Sequence, residues 1–309
     1  MDILSDILNH LDMKTSLYFR TDLTAPWGVN VPAYKNVARF HIVLSGSFWF
    51  STEGQESFKV SPGDIILVPH GKEHTLRDNP KSDVHSLNDV IEGAEYKAGE
   101  LLKYGEGTGS CTQLICGHFE FEEDNVHPFL TSFPSVIHIK KDGKHNFSWL
   151  GTALDFIDYE SINREPGADS IINKLSEVTF IQALRSFMRE NAVNTLFLSA
   201  LNDKYIRKSI EEIHTNPGKK WKLEDLAKAA GLSRTVYAER FHKLTGTTPM
   251  NYVTQWRMEK AKKYLKDETL SVDQIAQEIG YAASESFQKS FKKIFGVTPS
   301  AYRKQYRQQ

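Results

Sequence analysis

Residues Leu226 to Val253 read LAKAAGLSRTVYAERFHKLTGTTPMNYV, and residues Ile275 to Arg303 read IAQEIGYAASESFQKSFKKIFGVTPSAYR. The second stretch is the first written again, about fifty positions further on. Phe241 aligns with Phe291, Gly246 with Gly296, Thr248 with Thr298, Pro249 with Pro299 and Tyr252 with Tyr302. Upstream, Ala227 and Gly231 match Ala276 and Gly280, with one extra residue in the second turn. A repeat this regular is one supersecondary unit used twice.

Each copy reads as helix, glycine-containing turn, helix. Leu223 to Ala230 carries apolar residues at helical spacing and meets Gly231, a residue that tolerates the positive φ of a helix end. Ser233 is placed to cap a second helix, Ser233 to Leu244, with Tyr237, Phe241 and Leu244 on one stripe. The second copy repeats this with Val272 to Ile279, Gly280, and Ser284 to Phe295, where Phe287, Phe291 and Ile294 face inward. After each unit Thr248 or Thr298 caps a new helix with proline in its first turn. The helix Met250 to Lys266 then joins the two units. Such a helix-turn-helix places its second helix in the DNA major groove. A helical bundle without a nucleic-acid role is the alternative.

Charge bears on that choice. From Leu201 to Gln309 there are 21 Lys/Arg against 12 Asp/Glu, a net +9, and the rest of the chain has 17 against 27, a net −10. The whole-chain net of −1 therefore hides an acidic front and a basic back. The positive excess sits on the duplicated units, where phosphate binding needs it.

The stretch GYAASESFQKSFKKIFGVTPSAYRK resembles the signature of the AraC/XylS family of bacterial transcription regulators. Gly280, Tyr281, Phe287, Phe291, Lys292, Gly296, Thr298, Pro299, Tyr302 and Arg303 stand where that signature has them. The match covers about a third of the chain. The resemblance implies a domain that sets two recognition helices in successive major-groove segments, with RNA polymerase as a further partner. Positions off the inward stripes are Arg234, Thr235, Ala238 and Glu239 on the first recognition helix, and Ser284, Glu285, Ser286, Gln288, Lys289 and Lys292 on the second. Gln288 suits adenine, Lys289 suits guanine, and Glu239 can accept from cytosine. Arg234 and Lys292 are assigned to phosphates. The alternative for each is a solvated side chain.

At 309 residues the chain is long enough for two domains of about 150 residues. No apolar run reaches the length of a membrane span, and the acidic, amphipathic MDILSDILNHL is not a signal peptide. Ile3, Leu4, Ile7, Leu8 and Leu11 predict a short helix packed on the segment immediately after it. Two cysteines without extracellular cues fit a reducing cytoplasm.

From about Ser16 to Ile139 the chain reads as short strands between Gly/Pro/Asp turns: ARFHIVLSGSFWFST, ESFKVSPGDIILVPHGKEHTLR and CTQLICGHFEFE. This pattern predicts a β-barrel or jelly roll. Gly63, Pro69, His70, Gly71 and His74 are spaced as in the second motif of cupins, and VLSG at Val43 to Gly46 is similar to their first-motif turn. The resemblance implies a cupin-type sensor barrel. Cupin metalloenzymes carry His-x-His and Glu upstream of that turn. Here VPAYKNVARFH offers only His41, which argues for a sensor and against an enzyme.

His41, His74, Cys116 and His118 form the candidate effector or metal set. Cys116 and His118 share a strand face by parity, and Cys111 points to the other. Such a set suits Cu or Zn, and Cys116 would be a redox switch if its thiolate were stabilised. A buried structural cysteine with surface histidines, or a barrel that takes a small organic effector, are the alternatives. Asp78 to Ser110 lacks periodicity and reads as a lid or a disordered loop. Beyond it, Trp149, Leu150, Leu154 and Ile157 form one helical stripe, and Ile171, Leu175, Val178, Leu184, Phe187 and Met188 form a longer one. Paired helices here imply a dimer-forming element; helices that merely close the barrel are the alternative.

The expectation is thus an α+β chain. Residues 1–148 form a cupin-like sensor barrel, 149–200 a helical linker and dimerisation segment, and 201–309 an all-α double helix-turn-helix domain. Its expected function is that of a cytoplasmic, sequence-specific transcription regulator and activator. It binds double-stranded DNA as a homodimer, responds to an oxidant, a soft metal or a small organic molecule, and has no membrane partner. A cupin metalloenzyme that also binds DNA is the competing reading.

Overall fold

The computed structural model describes residues 2–11, 14–97, 99–105, 107–121, 129, 132–141, 148–190, 196–267 and 269–306. They fall into two compact units. One holds the described residues of 14–121 and 134–190; the other holds 196–306 together with 2–11, 129 and 132–133.

The first unit is built from two sheets. One contains β1 (Lys14–Thr24), β3 (Val37–Ser45), β6 (Ile65–Val68), β9 (Leu101–Tyr104), β10 (Cys111–Glu120) and β11 (Ile137–Ile139), in the order β11-β6-β3-β10-β1-β9. The other contains β2 (Gly28–Val31), β4 (Phe48–Thr52), β5 (Phe58–Val60), β7 (His74–Arg77) and β8 (His85–Ser86), in the order β5-β4-β7-β2-β8. Pairing is antiparallel except where β9 joins β1 and β8 joins β2. The core holds Trp27, Val43, Phe48, Phe50, Val68 and Leu76. The segment between Asp78 and Ser110 is not structureless, for it supplies β8, β9 and the short helix α2 (Leu87–Gly93), which Ser86 caps in a reciprocal box with Asp89.

Strand β3 is buried from Ala38 to Val43. Arg39, His41 and Val43 share one face; Ala38, Phe40 and Ile42 share the other. A strand covered on both sides loses the clean alternation of a half-exposed one. The outer face is covered by α4 (Ala168–Glu190), whose Ser176, Thr179, Phe180 and Ala183 lie against Phe40, Ile42, Ile65 and Leu67. Phe180 packs on Phe119 of β10 with ring centroids 4.4 Å apart.

Helix α3 (Ser148–Asn163) pairs with α4. The apolar residues of α4 divide between two faces. Leu184 and Phe187 are buried, whereas Ile171 and Val178 are 42% and 46% exposed and Leu175 is half-buried. The single stripe expected from Ile171 to Met188 is therefore two stripes, one against the barrel and one facing solvent. On α3, Leu154 and Ile157 are buried while Phe156, Tyr159 and Ile162 are exposed. The side chains of Trp149 and Leu150 lie outside the described residues.

The second unit contains α5 (Leu196–Asn202), α6 (Ile206–Thr215), α7 (Leu223–Ala230), α8 (Arg234–Thr245), α9 (Pro249–Lys266), α10 (Val272–Glu278), α11 (Ser284–Phe295) and α12 (Pro299–Tyr306). Gly231 ends α7 at φ +68°, and Ser233 and Thr248 cap α8 and α9 through the amides of Val236 and Asn251. Gly280 is required twice over. Its φ is +85°, and a Cβ there would stand 2.4 Å from the carbonyl oxygen of Gly218. The third buried residue of each recognition helix is Thr245 or Phe295, with Leu244 and Ile294 only half-buried.

Helix α1 (Ile3–Leu11) belongs to this second unit, not to the strands next to it in sequence. Its Ile3, Leu4 and Ile7 are buried, and it packs on α6 and α9. Asp6, 5% exposed, accepts from His214 Nδ1 at 2.9 Å and lies 3.5 Å from the Lys260 ammonium. Burial alone would raise the Asp6 carboxyl, yet the hydrogen bond from His214 and the charge of Lys260 hold it below its ordinary value. Burial lowers the His214 imidazole against the pull of Asp6. The neutral ring donates from Nδ1 to the carboxylate, so Nε2 accepts from the Tyr252 hydroxyl at 2.8 Å. The ring also stacks on Trp256 at 3.7 Å. Asp6→Ala should therefore lower stability by about 2–4 kcal/mol, because it strips a buried donor and a cation of their partner. Ser5→Ala, an exposed change on the same helix, serves as the control; equal urea midpoints for the two variants would show that α1 is not fastened this way.

Candidate nucleic-acid interface and barrel cavity

Tyr237, Phe241 and Thr245 form the buried line of α8, and Phe287, Phe291 and Phe295 form that of α11. A 3.6-residue period then turns the opposite faces to solvent. On α8 that face carries Thr235, Val236, Glu239 and Lys243; on α11 it carries Glu285, Ser286, Lys289 and Lys293, all exposed. Lys292 is exposed at the edge of the same face. Ala238 and Gln288 are half-buried at its flank, and Ser284 is half-buried with Gln288 Nε2 donating to its hydroxyl at 3.3 Å. Arg234 is exposed and paired with Glu224 at 3.1 Å. Val236, Lys243 and Lys293 were missed by a reading confined to the first turn. The period counted from the buried line would have found them.

The neighbouring elements set the angle of these helices. Arg240 of α8 donates from Nε to Asp203 at 2.9 Å, which ties the recognition helix to the turn between α5 and α6. Arg257 of α9 donates to the carbonyls of Pro217 and Lys219, both at 2.8 Å. Phe291 packs against Phe295 and Tyr302, which seats α11 on α12.

In the barrel, three of the four expected effector residues come together. Cys116 is the direct cross-strand partner of His41 in the β3–β10 ladder. The thiol lies 3.1 Å from His41 Nδ1, His41 Nε2 lies 2.8 Å from His74 Nε2, and His74 Nδ1 lies 2.7 Å from the Lys72 carbonyl. Burial lowers His41 well below its ordinary value and His74 to about 4. Both rings are neutral, and one constraint orients them. The Lys72 carbonyl can only accept, so His74 carries its proton on Nδ1; its Nε2 then accepts from His41, and His41 Nδ1 accepts from the thiol. His118 stands apart, with Nε2 at 2.7 Å from Glu120.

The expectation of a stabilised thiolate fails here. Burial pushes the Cys116 thiol up to about 12, and Arg39 only partly offsets this. Cys111 is exposed; its thiol donates to Asp22, and burial together with that carboxylate pushes it up to about 11. The donor set does not fit a metal either. The His41 ring stands between the Cys116 sulfur and His74, so the donors do not converge on one point. Among the described residues no three His, Cys, Asp or Glu side chains are arranged to hold one.

Beside this chain lies a cavity of about 30 Å³. Its walls include Phe19, Leu23, Val31, Leu76 and Leu114, and the segment expected as a lid contributes Leu87 and Val90 of α2 and Leu102 of β9. Arg39, 4% exposed, is its charged lining residue. Sequence reading missed Arg39, because only the parity it shares with His41 on β3 turns it inward.

Residues 2–189 match a family model described as Cupin, and residues 226–305 match one described as a helix-turn-helix domain. The HTH-type transcriptional regulator AlkR of Acinetobacter baylyi is 26% identical, over 99% of this chain and 100% of that protein. The RCS-specific HTH-type transcriptional activator RclR of Escherichia coli is 27% identical, over 88% of this chain and 86% of that one. The DNA-binding domain of AdpA, solved with a target DNA, is 27% identical over 34% of this chain and 95% of that domain, with a TM-score of 0.33. Among the described residues no helix is long and apolar enough to cross a membrane.

The neutral rings make a pH prediction. An unfolded histidine takes up its proton near pH 6.5, whereas folded His74 resists until about 4. Because the folded value is depressed, its contribution is present above 6.5 and is lost as pH falls toward 4, a change of about 3 kcal/mol. The urea midpoint of the full chain should fall between about pH 7 and about pH 5, and more gently in His74→Gln. A parent midpoint flat across that range would contradict the neutral assignment.

Proposed function

We propose that this chain, which belongs to the AraC family of DNA-binding transcription regulators and carries a cupin domain ahead of its helix-turn-helix pair, is a dimeric activator with an effector-binding barrel. The observation that carries the reading is the duplicated unit. Two recognition helices, each locked by a buried aromatic line, turn exposed polar faces to solvent within the basic third of the chain. Thr235, Glu239 and Lys289 are assigned to base edges, and Arg234 and Lys292 to phosphates. The exposed Arg234–Glu224 pair is worth little and does not hold Arg234 from DNA. Activation is supported by the name of the relative RclR, and it makes RNA polymerase a partner. A cytoplasmic location goes with access to DNA.

For the barrel, the geometry favours a small organic effector over a metal or an oxidant. The walls are mostly apolar with a few polar groups among them, which is the composition of small-molecule sites. Cys116 is a protonated thiol, and His41, His74 and Cys116 satisfy one another. In this reading they wall the site, and His118 is a structural partner of Glu120. A metalloenzyme would need a converging donor set, and the relatives AlkR and RclR are named as regulators.

The DNA faces are tested by two substitutions. Lys289→Ala should weaken operator binding by about 1–3 kcal/mol and relax preference at one base pair. Lys292→Ala should weaken binding evenly across sequences and reduce the salt dependence. Unchanged footprint and affinity in both variants would overturn these faces.

Phe156, Tyr159, Ile162, Ile171 and Val178 give the α3–α4 pair an exposed apolar surface, which we assign to a second copy of the chain. Because Val178 points away from the barrel, Val178→Glu should stay folded and sediment as a monomer. A parent chain that is already monomeric at micromolar concentration would remove the dimer.

A further inference from the structure

The lining of the barrel cavity constrains the chemistry of what enters it. Its walls are aliphatic and aromatic, its thiol and imidazole already bond to each other, and no carboxylate is among its lining residues. Arg39 contributes a permanent positive charge. The guanidinium lies 4.3 Å from the ring centre of Tyr34, a contact that leaves its in-plane N–H fork geometrically suited to a bidentate acceptor. A buried cation beside apolar walls selects for negative charge joined to an apolar body.

Size supplies a second constraint. A cavity of about 30 Å³ has room for about two water molecules, so a body of several carbons must move a wall. One wall is lightly held. Helix α2 is seven residues long, and Val90 is its one buried side chain among the described residues. The strands on the other sides belong to extended ladders.

We propose that the effector is an organic monoanion, a carboxylate with an apolar body, whose charge meets Arg39 and whose body displaces Leu87 and Val90 by moving α2 outward. The inference rests on the reading of the barrel as an effector site and names the class of molecule for it. Arg39 sets the charge, the walls set the apolar body, and α2 sets the route. The His41–His74–Cys116 chain keeps that end of the cavity closed to water.

The test uses the full chain with hexanoate and decanoate, each compared with its own primary amide at millimolar concentration. Thermal unfolding and DNA affinity are both followed. The acids should raise the unfolding temperature and shift DNA affinity, and the amides should do neither. Arg39→Gln should weaken binding of the acids by about tenfold or more. Leu87→Trp, which fills the cavity from the α2 side, should abolish binding with Arg39 intact. Should Arg39→Gln fail to fold, the contrast between acid and amide in the parent chain decides alone. Amides that bind as well as acids and also shift DNA affinity would overturn the charge assignment and leave the barrel as a sensor. Failure of any acid to bind would overturn the inference. Acids that bind in the manner described without altering DNA affinity would uphold the assigned class of ligand and sink the barrel's regulatory role.

Discussion

A backbone carbonyl can only accept a hydrogen bond, and from the carbonyl of Lys72 that restriction runs through the barrel interior. It places the His74 proton on Nδ1, which leaves Nε2 to accept from His41 and His41 Nδ1 to accept from Cys116. His74 lies on one sheet while His41 and Cys116 lie on the other, so this chain of three side chains joins the two sheets through an apolar core. Every buried polar atom along it has a partner, which is the condition under which a polar network stiffens a core instead of weakening it. The helical unit solves the same problem with a carboxylate. Asp6 fixes the proton of His214, and the Tyr252 hydroxyl completes that line.

The helix-turn-helix half was legible because its determinants are local. Gly231, Ser233 and the Thr248–Pro249 pair mark ends and caps within a few residues of where they act. The repeat supplied a second reading of each position. What local pattern left open was the third inward residue of each recognition helix, where Thr245 and Phe295 are buried more deeply than Leu244 and Ile294. A period of 3.6 divides neighbouring positions poorly, and contact with other helices decides between them.

In the barrel, the strands were legible and their pairing was not. That Cys116 faces His41 depends on a register between segments 75 residues apart, set by the whole sheet. Histidines and a cysteine drew attention as metal-binding types, but their sequence order cannot show that one ring would stand between the other two donors. Arg39 escaped notice because arginine is ordinarily a surface residue. The stripe on α4 was read as one face for a related reason. Its apolar residues serve both the barrel and solvent, and only the packing of Phe180 on Phe119 separates the two.

The docking of α1 with α6 and α9 has a consequence for how the chain is made. The first helix synthesised is buried against helices that begin about two hundred residues later. During synthesis α1 must therefore wait, with Ile3, Leu4 and Ile7 uncovered, while the strands of the barrel are completed. A helix of nine residues has little stability alone, so it takes its final form only when its distant partners arrive. The barrel is in effect an insertion within the DNA-binding unit, and the last contacts made close a loop that spans most of the protein. Completion of the DNA-binding unit is thereby deferred until the entire polypeptide exists.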